Sequence, residues 1–162
     1  MFTIEKKSVR VGKYVDANHV DTLVRTYKQE RWKYNSERME KDDSLNVYYT
    51  IDELQEFLQR AKEAGADGIR VHFGAYPQNF EAKPEVAGLQ TTVFVAIQRE
   101  EAISGTVEKN VFVSTENGPR IMAYNMGTLK PAGGGRGSDD GDNWGGIGTT
   151  LVDRADKGMM IV

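Results

Sequence analysis

The chain contains no cysteine. Disulfides, thiolate zinc sites, iron–sulfur clusters and cysteine nucleophiles are therefore excluded. Long apolar runs are also missing. No stretch approaches the roughly 18 uninterrupted apolar residues of a membrane-spanning helix. Residues 1–20 carry Glu5, Lys6, Lys7, Arg10, Lys13 and Asp16 and offer no apolar core for a signal segment. A cytoplasmic protein with no membrane association is expected. Neither sign of charge dominates: the net charge is −3, so no global attraction to nucleic acid is expected. Histidine is scarce, with only two. A zinc enzyme would need carboxylates to complete its ligand set, and no metal or cofactor is expected.

Hydrophobic residues make up 39% of the 162 and charged residues 28%, the composition of one ordered domain spanning 1–162. Val20, Leu23, Val24 and Tyr27 fall on one face of a helix over 19–34, with Asn18 as N-cap. The polar stretch 35–44 reads as a connection. Val47 to Tyr49 favour a short strand. Thr50-Ile51-Asp52-Glu53 is a capping box. Ile51, Leu54, Phe57, Leu58 and Ala61 follow at helical spacing, and Gly65 suits the left-handed residue that closes such a helix.

Gly68 to Gly74 alternates as a strand, with Ile69, Val71 and Phe73 on the core side and Arg70 and His72 opposite. The spacing of these elements admits a βαβ unit over 45–74. Gln90 to Gln98 is apolar on both faces and belongs in the middle of a sheet. Val111 to Val113 and Ile121 to Tyr124 form further strands around a turn at Asn117-Gly118. Residues 127–148 hold nine of the seventeen glycines and read as a loop. Leu151-Val152 and Met159 to Val162 read as closing strands. The fold class is α+β: a mostly antiparallel sheet of about four to six strands with two helices on one face.

Candidate chemistry is sparse. Gly133 to Ser138 lacks the lysine of a phosphate-binding loop, and no helix follows it. Asp139, Asp140 and Asp142 do not continue into the ligand spacing of a calcium loop. Neither Ser104 nor Ser138 sits in a G-x-S-x-G elbow. Glu30 to Arg38 mixes aromatics with cations, but its glutamates favour a helix end over a nucleic-acid surface. The strand pair remains: Arg70 as an anion fork and His72 as an acid–base, with Tyr76 at the rim. The opposing reading is a solvated strand face.

The string from Gly68 to Pro77, with Thr92 to Ala96, resembles a group of small bacterial proteins of Bacteroidetes type. Trp32, Asn35, Ser36 and Arg38 fit the same group, as does the glycine- and aspartate-rich tail. The resemblance covers most of the chain and brings no activity with it. It implies a bacterial cytoplasmic protein and adds Arg38 to Arg70 and Tyr76 as positions to test.

The expected function is a non-catalytic domain that binds a small molecule or a protein. The alternatives are a small enzyme built on His72 and Arg70, and a homo-oligomeric structural or regulatory protein joined through its apolar C-terminus.

Overall fold

Asp16 starts the first helix, two residues before the expected cap: its Oδ1 accepts from the His19 amide at 2.9 Å. A computed structural model describes residues 10–131, together with the backbone of 151–153 and 159–161. Helix α1 runs over Ala17–Tyr27, passes through a π-helical turn at Lys28–Trp32 and continues as α2 over Lys33–Met39. The expected connection at 35–39 is thus helical. Asn35 and Ser36 are held there by tertiary bonds to Asp43, which outweigh their weak helix preference. Glu40 ends the run with φ 56°.

Strand β1 (Ser44–Tyr48) leads into α3 (Ile51–Glu63). Both halves of the capping box form: the Thr50 amide donates to Glu53 Oε2 at 2.8 Å, and the Glu53 amide donates to Thr50 Oγ1 at 3.2 Å. Gly65 follows with φ +93°, as the sequence requires. Strand β2 (Gly68–Ala75) pairs antiparallel with β3 (Gln90–Ala102), with Arg70 opposite Val95 and Phe73 opposite Thr92.

Strand β4 (Gly105–Asn110) pairs with the far end of β3, and β5 (Phe112–Thr115) pairs with β6 (Gly118–Ile121). Glu40 and Met126 are the only described non-glycine residues with positive φ. Asn117 therefore does not adopt the left-handed pair of a type I′ turn; the positive φ falls on Gly118, as in a bulged hairpin. Strand β7 (Ala123–Tyr124) returns to β3 beside Phe94 and Val95.

The backbones of Ala96, Val111 and Met122 close a three-way junction. Val111 N–H donates to Ala96 O, Met122 N–H to Val111 O, and Ala96 N–H to Met122 O, at 2.8–2.9 Å. Ala96 is fully buried there, beneath Ala61 of α3.

The βαβ unit does not form. Strand β1 pairs antiparallel with β8 (Thr128–Pro131), not with β2. The expected loop at 127–148 thus begins with a strand, and its residues 132–148 lie outside the described ones. At the C-terminus β9 (Leu151–Asp153) pairs antiparallel with β10 (Met159–Ile161), as expected. The fold is α+β with antiparallel sheets. Phe57 and Ala61 place α3 over Phe94 and Ala96 of β3. Among the described residues, no helix is long and apolar enough to cross a membrane.

Candidate functional site: a cavity between the first helix and the sheet

Residues directly opposite in an antiparallel pair share a face. Ile69, Val71 and Phe73 therefore share the face of Ala96, Phe94 and Thr92. The alternation read from the sequence holds, but the burial does not. Ile69 packs under α3, whereas Val71 is 46% exposed and Phe73 83%. Helix α3 covers this face at Ala96 and, through Phe57, reaches Phe94, but leaves Val71 and Phe73 open.

Helix α1 stands across the open part, and a cavity of about 810 Å³ lies between. Leu23, Tyr27 and Arg31 form one wall at a spacing of four residues. Val71 and Phe73 form the wall opposite, and Phe94 and Tyr49 line the space between. Those last two rings meet edge-on, with centroids 5.2 Å apart, and belong to a cluster completed by Phe57 and Tyr124. The Tyr124 hydroxyl donates to Glu53 Oε1 at 2.9 Å, which ties the cluster to the cap of α3.

The helical wall is fixed by Asp43, which is 2% exposed. Its Oδ1 accepts from the amides of Ser44 at 2.8 Å and Gln90 at 2.7 Å, and its Oδ2 from Asn35 Nδ2 at 3.1 Å. The Asp43 amide donates to Ser36 Oγ, and its carbonyl accepts from Trp32 Nε1, both at 2.9 Å. The mixed aromatic and cationic segment is thus a helix end docked on a buried carboxylate: Trp32 is 1% exposed. The π turn keeps Lys28, Trp32 and Ser36 buried in register while the helix passes over the sheet.

Polar side chains also line the cavity, Thr26, Ser44, Asn46, Gln90, Thr91 and Thr92 among them. The Tyr27 hydroxyl donates to Gln90 Oε1 at 2.7 Å. Burial first, and then the nearby Asp43 carboxylate, push this phenol up to about 12, against a smaller opposing effect of Arg31. Burial also raises the Tyr49 phenol. The Gly127 amide and the Thr92 hydroxyl lie close enough to Tyr49 to oppose that rise. Neither meets its buried oxygen in good hydrogen-bond geometry. Of the fifteen described lining residues only Arg31 is charged.

The residues singled out from the sequence lie elsewhere. Arg70 and His72 share the opposite face of β2, across from Val95 and Val93. The Arg70 guanidinium is paired with Glu108, whose other oxygen is 3.5 Å from Arg99 Nε. His72 is exposed and makes no side-chain hydrogen bond among the described residues. Tyr76 stacks on Phe80 at 4.7 Å and donates its hydroxyl to Asn125 Oδ1 at 2.8 Å. Asn125 in turn donates to the Thr92 carbonyl at 2.6 Å. Tyr76 therefore fastens the 76–89 connection to the end of β7. Arg38 is exposed on α2, apart from all three.

The structure groups only Arg70 with His72. Among the described residues, no three acidic or histidine side chains gather as a metal site. Sequence reasoning missed the cavity itself; the spacing of Leu23, Tyr27 and Arg31 was its one local trace. Compared with known families, curated proteins and solved structures, the chain finds no match in any of the three.

Proposed function

We propose that the protein is a non-catalytic binding domain that takes one small, largely apolar molecule into the cavity between α1 and the sheet. The observation that carries this reading is the convergence of exposed Leu23, Val71 and Phe73 on one concave space. Large apolar side chains facing water on a strand forgo burial worth about 25 cal/mol per Å². A ligand that covers them recovers that energy. A volume of about 810 Å³ falls within the usual span for small-molecule sites, about 300–1,000 Å³. The surroundings suit a preformed site, because the Asp43 bonds hold the helical wall, the β2–β3 pairing holds Val71 and Phe73, and the ring cluster holds the space between before any ligand arrives.

Titration with N-phenyl-1-naphthylamine, a neutral probe that fluoresces in apolar surroundings, tests the reading. Saturable binding at one site per chain is expected, and Phe73→Asp should abolish it while leaving the circular dichroism unchanged. Non-saturating fluorescence, or saturation that survives Phe73→Asp, refutes it.

A further inference from the structure

The ligand class follows from the charge of the walls, and this step rests on the cavity reading above. We infer that the cavity selects a free amphiphile with a single anionic head, a carboxylate or sulfonate, seated at Arg31 with its apolar body between Leu23 and Phe73.

Among the described residues Arg31 is the only charged group in the lining, and no aspartate or glutamate lines the space with it. Its guanidinium makes no ion pair or hydrogen bond among the described residues. Arg70 on β2 and Arg99 on β3, by contrast, both face Glu108. The nearby buried carboxylate, Asp43, is already engaged by three donors from Ser44, Gln90 and Asn35. A guanidinium at the edge of an apolar concavity is a strong site for a planar anionic head, because two parallel N–H bonds match its oxygens. One positive charge in the described lining also sets the charge of the head: a second negative charge would find no second cation there. Tyr27 adds no competing charge, since it stays a neutral phenol far into the alkaline range. Arg31 stands within the π-helical turn, a distortion that recurs at functional sites.

A matched pair of probes separates this inference from the reading beneath it. N-phenyl-1-naphthylamine and 1-anilinonaphthalene-8-sulfonate share one apolar body and differ in the sulfonate. The sulfonate should bind about tenfold more tightly or better, the size of one charge-assisted contact. Arg31→Met should remove that advantage, bringing the two affinities together; Arg31→Lys should restore part of it. Equal affinity of the two probes in the wild-type protein overturns the inference while the cavity reading stands. So does an equal weakening of both in Arg31→Met. Failure of both probes to saturate overturns the cavity reading and the inference with it. A membrane-borne anion is the other source of this chemistry. Cosedimentation with phosphatidylglycerol vesicles that Arg31→Met abolishes would refute a free ligand.

Discussion

Removing the Asp43 carboxylate should destabilise the protein more than any exposed substitution. Asp43→Ala leaves the amides of Ser44 and Gln90 and the Asn35 side chain without their acceptor in a buried place. Each bond to a charged acceptor contributes about 1.5–3 kcal/mol. The three together are offset by several kcal/mol that the buried charge itself costs in lost hydration. The net loss should be about 3 kcal/mol, the scale of a broken buried network.

Asp43→Asn keeps the shape and one acceptor oxygen for the two amides. It sets an NH₂ group against Asn35, whose side chain must turn to present its oxygen, so the loss should be about 1 kcal/mol. Urea unfolding followed by tryptophan fluorescence reads both variants, because Trp32 donates to the Asp43 carbonyl. With a slope of about 2 kcal/mol per molar urea, the midpoint should fall by about 1.5 M for Ala and about 0.5 M for Asn. A midpoint for Asp43→Ala within about 0.2 M of wild type, or above that of Asp43→Asn, would refute the reasoning.

Two more expectations concern the neighbourhood of the cavity. A Cβ on Gly127 would stand 2.5 Å from Tyr49 Cζ and 2.6 Å from Val47 Cγ1. Tyr49 is locked in the ring cluster, so Gly127→Ala should cost about 1–3 kcal/mol, visible as a lowered melting temperature. Gly12→Ala, whose Cβ meets nothing within 4 Å, should leave the melting temperature unchanged. Tyr27 contributes a dependence on alkaline pH. Its phenol rises from 10.0 to about 12 on folding, so the protonated form is the one the fold favours. That stabilisation is complete below pH 10 and is lost as pH rises towards 12. Urea midpoints measured from pH 9 upwards should fall more steeply for wild type than for Tyr27→Phe; parallel curves would contradict the shift.

The parts of the fold that were legible in the sequence are those fixed by neighbours along the chain. Helix α3 has its capping box, its apolar spacing and Gly65 within sixteen consecutive residues, 50–65, and it forms as read. Strand β3 is apolar on both faces, and it is paired on both edges. The illegible parts depend on distant partners. Strand β1 finds β8 some 80 positions downstream, and nothing in residues 44–48 names that partner. The helix runs on through Asn35 and Ser36 because Asp43 bonds both. Strand β4 is exposed along its whole length, so it has no apolar period to detect. Its backbone ladder to β3 holds it, flanked by exposed charge pairs, Lys109 with Glu100 and Glu108 with Arg99 and Arg70. The signal that was available there was Ser104-Gly105, a turn pair whose glycine takes φ +116°.

The site was harder to see than the fold, for a physical reason. Alternation along β2 tells which side chains share a face, and it sorted Val71 and Phe73 from Arg70 and His72 correctly. It does not tell whether anything covers that face. Cover depends on how far α3 reaches and on where α1 crosses, and both are set by the Ala96 junction and by Asp43. An apolar residue that reads as core is then either packed or left facing a concavity. The two outcomes have the same sequence signature. Arg70 and His72 drew attention because charged groups on a strand stand out, yet Glu108 takes up the Arg70 charge. Arg31 did not stand out, being one cation among several at a helix end. Its partners along the wall, Leu23 and Tyr27, read as core. The lone charge in the described lining is a property of the assembled helix and sheet, and it is there that the proposed ligand would be chosen.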